Sequence, residues 1–176
     1  MSCGCSKKRG GLSGSLLIGE RTSVAPEEWG PVMWKFLHCS AWRIGRTGSP
    51  LVDADEGRHM ELLVGHLPEV LPCRECQAHA REYILANRPT GWSGLRGDAL
   101  RSAVVGWLET FHNTVRVRQG KEIVVGESYE GCSVAVCEYK IIVDSIVYAT
   151  TLGWVKKDAW KRWQRTMGEL RLLIGI

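Results

Sequence analysis

The sequence predicts an all-α protein: an antiparallel four-helix bundle with additional helices at its C-terminal end. Three observations lead there. Apolar residues recur by threes and fours, most clearly Leu100, Val104, Trp107, Leu108, Phe111 and Val115, which fall on one face of a helix. The stretches between such segments are short and marked by Gly and Pro, as between antiparallel neighbours in a bundle. The β-branched run Ile141, Ile142, Val143, Ile146 and Val147 favours strand on propensity, but Val134, Cys137, Ile141, Ser145, Tyr148 and Leu152 recur at helical spacing and decide for a helix. A chain of 176 residues suits one domain with an appendage and is long enough for a substantial core.

In order along the chain, residues 1–24 are rich in Gly, Ser and basic residues and are expected to form a flexible arm. Residues 25–127 are expected to form the functional core, and 128–176 a C-terminal helical extension. The first helix begins near Pro26, where Glu27 and Glu28 suit a helix N-terminus, and carries Trp34, Phe36, Leu37, Ala41 and Ile44 until Gly45, Gly48 and Pro50 end it. A second runs from Asp53 or Ala54 to Leu67, with Met60, Leu63 and Leu67 on one stripe, and Pro68 stops it. The third holds Cys73 and Cys76, with Pro72 marking its first turn, and ends before Pro89. Asn87–Gly97 is a loop, Asp98 caps the fourth helix and Gly120 ends it. Ile123–Val125 forms a short strand or an extended loop. The fifth helix follows, and a sixth starts at an Asp158 cap and buries Trp160, Trp163, Met167, Leu170 and Ile174.

Composition narrows the function. The formal charge of +4 is mild and spread along the chain, with no basic stripe in a recognisable module, which argues against nucleic-acid binding. No uncharged apolar run approaches the roughly 20 residues of a membrane span, and the best candidate, Ile141–Leu152, contains Asp144. Leu16–Ile18 is too short for the apolar core of a signal peptide, and Ser2 stands where myristoylation needs Gly, so a soluble protein is expected. Eight Trp against two Phe suits a protein that packs large flat surfaces, a planar cofactor among them.

The seven cysteines cluster as Cys3 with Cys5, Cys73 with Cys76 and Cys132 with Cys137, leaving Cys39 unpaired. Short-range pairs suggest thiol exchange or metal binding more than long-range staples. Residues three apart on a helix have Cβ atoms about 5–6 Å apart, which a disulfide can close. At a helix N-terminus, the unpaired N–H groups stabilise a thiolate and make it reactive near neutral pH. Cys73 and Cys76 therefore outline a redox dithiol. Their spacing alone leaves zinc open, because His79 completes Cys-x-x-Cys-x-x-His. Cys132 and Cys137 cannot bond across a continuous helix; they form a C-terminal shuttle pair if Cys132 precedes the helix, and are otherwise two small buried hydrophobes. Cys3 and Cys5 would make a strained, labile disulfide suited to a relay, with lipidation beside Lys7, Lys8 and Arg9, or no role at all, as the competing readings.

Three blocks then stand in register: WGPVMWKFLHCSAW from Trp29, LPCRECQAHAREYI from Leu71 and WLETFHNTVRVRQGK from Trp107. Together they resemble the FAD-linked sulfhydryl oxidases of the Erv/ALR family, which carry Trp-x-x-Leu-His on the first helix, Cys-x-x-Cys at the start of the third and His-Asn-x-Val-Asn-x-x-x-Gly-Lys on the fourth. The leading Trp-Gly-Pro is more similar to the versions from large DNA viruses. The resemblance implies a four-helix bundle holding FAD at its end, usually as a homodimer. It implies Cys76 as the thiol next to the flavin and Cys73 as the one that exchanges with incoming dithiols. Trp34 and His38 would contact FAD, His112, Asn113 and Val115 would line its adenine end, and Lys121 would lie near phosphate or ribose. The implied reaction takes electrons from protein dithiol clients, directly or by a thioredoxin-like carrier, through the cysteine pair and FAD to oxygen, giving hydrogen peroxide. The implied setting is the host cytoplasm or a virion, with the mitochondrial intermembrane space as the alternative.

Two positions depart from the pattern. Arg116 stands where the family has Asn, and must reach phosphate, adenine or solvent. Glu109 stands where many members have the Cys of a structural disulfide, so that staple is expected to be absent. The competing function is a non-enzymatic module in which Cys73, Cys76, His79 and one of Cys132 or Cys137 hold structural zinc.

Overall fold

The computed structural model describes residues 25–175. The readings of Cys3, Cys5 and the N-terminal arm lie outside them. Among the described residues seven α-helices follow in order: α1 (Pro26–Arg43), α2 (Pro50–Gly65), α3 (Leu67–Val70), α4 (Arg74–Ala86), α5 (Gly97–Arg118), α6 (Val136–Thr151) and α7 (Lys157–Ile174). No strand occurs among the described residues, and Ile123–Val125 is loop.

Prolines account for two of the differences between expected and observed boundaries. Pro50 opens α2 instead of closing α1, because a residue without an N–H and with φ fixed near −65° suits the first helical position. Pro68 stops α2 at its C-cap His66 but sits in the first turn of the short α3. Asp98 lies in the first turn of α5 and Arg96 takes the cap position, since α5 begins at Gly97. Asp158 likewise lies inside the first turn of α7.

α1 packs between α5 on one side and α6 on the other, while α2 lies against α7 and against a 3₁₀ turn at Trp92–Gly94. One apolar core joins them all, with Phe36 and Leu37 from α1, Met60 and Leu63 from α2, Leu108 from α5, Ile146 from α6 and Trp163 and Met167 from α7. Trp163 is fully buried and its indole N–H donates to the Leu63 carbonyl at 2.8 Å. Two buried carboxylates fix the other end of the bundle. Glu56 Oε2 accepts from the Gly45 N–H at 2.7 Å, and Asp53 Oδ2 from the Gly97 N–H at 2.8 Å. Gly45 has φ +68°, and a Cβ there would run into the Gly97 carbonyl, so this crossing requires Gly.

Candidate functional site

α4 begins at its two cysteines. Cys73 is the N-cap, in extended backbone, and its sulfur accepts the Cys76 N–H at 3.1 Å. A Cβ substituent with a polarisable sulfur thus replaces the hydroxyl or carboxylate usual at an N-cap. Cys73 and Cys76 are joined in a disulfide, with Cα atoms 5.1 Å apart. Cys76, Ala80 and Tyr83 share one face of α4; Ala80 is buried, and Tyr83 stacks on Phe111 of α5 with ring centroids 4.6 Å apart. The α6–α7 turn also reaches this helix: Gln77 Nε2 donates to the carbonyls of Leu71 and Trp154, and the Arg74 guanidinium lies 5.8 Å from the Trp154 ring centre.

Opposite Cys76, α1 and α5 build a wall of rings. Trp34 and His38 are one turn apart on α1 and share a face. Trp34 stacks on His112 of α5 at 4.2 Å with the planes 9° apart, and meets Phe111 edge-on at 5.2 Å. His38 Nε2 and His112 Nδ1 are 3.1 Å apart, one donating to the other. Burial lowers the pKa of both, and for His112 the His38 and Arg116 charges add to it, bringing it to about 4. Both rings are therefore neutral at neutral pH, as a single shared proton between them requires.

A cleft of about 780 Å³ runs between this wall and the disulfide, and Trp34, Cys73, Cys76, His79, His112, Val115, Arg116, Lys121 and Tyr129 all line it. Arg116 Nε donates to the Glu122 carbonyl and Lys121 Nζ to the Gln119 side-chain oxygen, both neutral acceptors that leave each positive charge to meet an anion. Asn113 is committed elsewhere: its amide donates to the Val124 carbonyl and its oxygen accepts the Val124 N–H. Glu109, at the position of the missing staple, accepts the Gly126 N–H at 2.9 Å.

The cysteine pairing differs from the expected one. Cys39 is not unpaired: it is bonded to Cys132, 93 residues away, with Cα atoms 5.6 Å apart. Cys132 and Cys137 therefore do not form a shuttle pair, and Cys137 is free and exposed. The chain path explains this, because the loop before α6 returns across α1 and brings Cys132 to Cys39 while α6 carries Cys137 away. The zinc reading loses its ligands by the same pairings. Cys73 and Cys76 bond each other, and no group of three His, Cys, Asp or Glu suited to a metal occurs among the described residues. Tyr129 was missed by sequence reasoning. It stacks on His38 at 4.6 Å with planes 9° apart, and its hydroxyl donates to Glu127. A lone Tyr in a Gly-rich loop carries no periodic signal.

The family model described as Erv1 / Alr matches residues 31–133, which include Trp34, His38, Phe111, His112 and Tyr129 and the Cys73–Cys76 pair. The protein 096R of Invertebrate iridescent virus 3, provisionally named a FAD-linked sulfhydryl oxidase, is 33% identical over 100 residues, covering 56% of this chain and 61% of that one. No solved structure matches the chain.

Proposed function

This chain belongs to the Erv1/Alr family, and on that premise we propose that it is a flavin-dependent sulfhydryl oxidase. It forms disulfides in protein dithiols, or in a thioredoxin-like carrier, and passes their electrons by way of Cys73, Cys76 and FAD to oxygen, with hydrogen peroxide as product. One observation carries the reading: the Cys73–Cys76 disulfide lines the same cleft as the Trp34–His112 ring surface and the Arg116 and Lys121 cations.

That donor set suits FAD. Flat rings match an isoalloxazine or adenine face, and cations match a pyrophosphate. The volume lies within the roughly 300–1,000 Å³ usual for such sites. Trp34, Cys76, His112, Val115, Arg116 and Lys121, which line the cleft, would hold the cofactor; His38 does not line it and would act through its partners His112 and Tyr129, and Asn113 by fixing the loop at Val124. When bound, FAD supplies a two-electron acceptor that oxygen can reoxidise.

The chain's own residues perform the exchange. A client thiolate attacks Cys73 Sγ, the Cys73–Cys76 bond breaks, and Cys76 leaves as a thiolate. The second client thiolate then attacks the client sulfur of the mixed disulfide, which closes the client's bond and releases Cys73. The Cys76 N–H that donates to Cys73 stabilises the departing thiolate at the helix N-terminus. Cys76 stays on the inward face shared with Ala80 and Tyr83, which suits it to face the ring wall. Neutral His38 and His112 present that wall without charge.

The test is the visible spectrum of the purified protein, with a dithiol added in the absence of air. A flavin band that bleaches in the wild type, but persists in Cys76→Ser, is expected, with peroxide appearing when air returns. A colourless protein carrying one zinc per chain would overturn the proposal in favour of a structural zinc module.

A further inference from the structure

Residues 119–135 form a strap that crosses from α5 to α1 over the two histidines. Its first half is tied to α5 by the Asn113–Val124, Arg116–Glu122 and Glu109–Gly126 hydrogen bonds. Its second half is tied to α1. There Cys132 is bonded to Cys39, the Cys132 carbonyl accepts from Arg43 at 3.2 Å, and Tyr129 lies flat on His38. His38 and Cys39 are consecutive, so they leave α1 roughly 100° apart and hold the strap at two points of one turn. Beneath it is a cavity of about 20 Å³ lined by His38, Glu109, His112, Asn113, Glu127 and Tyr129, with room for about one water. Tyr129 thus faces this cavity and the large cleft at once.

Apart from the disulfide, the second half is held by noncovalent contacts: the Arg43–Cys132 hydrogen bond, the Tyr129–His38 stack and the Arg46–Glu130 pair. The Arg46–Glu130 pair is exposed and 3.5 Å long, a type worth little. Cys39 is 1% exposed, so a dithiol reaches this bond only through the half-buried Cys132 sulfur. Cys39 therefore does not suit an electron relay.

We propose that the Cys39–Cys132 disulfide is a clamp that seats Tyr129 against His38 and so sets how firmly the cleft retains its planar cofactor. The cofactor half of this proposal rests on the oxidase reading above. Opening the clamp takes two electrons and two protons from a dithiol, which leaves as its own disulfide while Cys39 and Cys132 become thiols. Glu109 of α5 holds the loop by accepting the Gly126 N–H, and the loop's covalent tie runs to α1. Tyr129, Cys39 and Cys132 are positioning residues, since they act through where the strap lies.

The experiment compares the full chain with Cys39→Ala/Cys132→Ala, with Tyr129→Ala and with the triple variant. Two readouts are taken: hydrogen exchange at the amides of 127–134, and the rate at which flavin fluorescence recovers as the cofactor dissociates. The double variant should exchange at those amides at least tenfold faster, with the amides of α2 and α7 unchanged. Flavin should leave at least tenfold faster from both the double variant and Tyr129→Ala, and no faster again from the triple, as expected for residues that act as one unit. Unchanged exchange in the double variant overturns the clamp. Additive flavin losses overturn the link between the disulfide and Tyr129. Should the double variant fail to fold, Cys132→Ser alone, at the half-buried end, is read the same way. A wild type that holds no flavin defeats the oxidase reading and the retention role, while exchange still decides the clamp.

Discussion

At the scale of single residues, His112 and Glu56 titrate with opposite signs. His112 is held at about 4 in the folded protein, first by burial and then by the His38 and Arg116 charges, against an ordinary value near 6.5. Below 6.5 the unfolded chain takes the proton more readily than the folded one, so stability falls as pH drops from 6.5 towards 4 and is fully present above 6.5. His112→Phe keeps a ring against Trp34 and removes this titration, so its thermal midpoint should fall less steeply over that range; an equal slope would assign the loss to other groups. At neutral pH the same variant should be weaker by about 1–3 kcal/mol, because His38 loses its partner in a buried place. Glu56 is the reverse case. Its pKa is raised above the ordinary 4.5, by burial first and also by Asp53, although the Gly45 N–H pulls it down. Its folded state favours the protonated form, so its contribution is most favourable below 4.5 and is lost as pH rises through the raised value. Glu56→Gln, which keeps an acceptor for Gly45, should therefore unfold at higher temperature than wild type near pH 7 and at a similar temperature near pH 4. Equal destabilisation at both would show that the charge is not what matters.

At the scale of elements, α2 offers a sharp contrast in how tightly a helix is met. A Cβ on Gly57 would lie 2.6 Å from the Trp92 carbonyl group, so the 3₁₀ turn must move to admit it. Gly106, midway along α5, has open space around it. Gly57→Ala should cost about 1–3 kcal/mol in chemical denaturation, and Gly106→Ala should add about 0.5–1 kcal/mol. A neutral Gly57→Ala would mean that the turn is not seated on α2. These helices were legible in the sequence because burial of one face writes its period into the chain: Trp160, Trp163, Met167, Leu170 and Ile174 were read as a stripe and are all buried. Their starts were less legible, since Pro50 and Pro68 carry the same local signal whether they end one helix or begin the next. The rings and cysteines at and beside the cleft were legible as motifs, because Trp34 and His38 on α1, Cys73 and Cys76 at the start of α4, and His112 on α5 sit at fixed short spacings. Cys39–Cys132 and Tyr129 were not, because a loop's path across α1 is set by tertiary packing and leaves no periodic trace.

At the scale of the whole molecule, the question is whether residues beyond 128 are an appendage. α6 and α7 lie beyond the segment that the family model matches, yet they complete the same core. Ile142 and Ile146 of α6 and Trp163 and Leu170 of α7 are fully buried, and Lys35 of α1 forms a 2.8 Å ion pair with Glu138 of α6. α6 and α7 thus cover one side of α1 and of α2 from within the chain, and a homodimer of the kind the family resemblance implies would use surfaces they leave open. Exposed Leu51 and Leu172 lie on two of them, and molar mass by light scattering across concentration tests whether they pair. Ending the chain after Ser133 would uncover Met60, Leu63 and Phe36, which are at most 1% exposed in the intact protein. Each such side chain gains roughly 1.5–3 kcal/mol from burial, and a domain's net stability is only about 5–15 kcal/mol. The truncated chain should therefore lose its cooperative unfolding transition and aggregate, even though it keeps every residue that lines the cleft and loses Trp154, the neighbour of Arg74 and Gln77, from around it. A sharp transition in the truncated chain would instead establish 25–133 as a self-sufficient unit, with α6 and α7 as its cover.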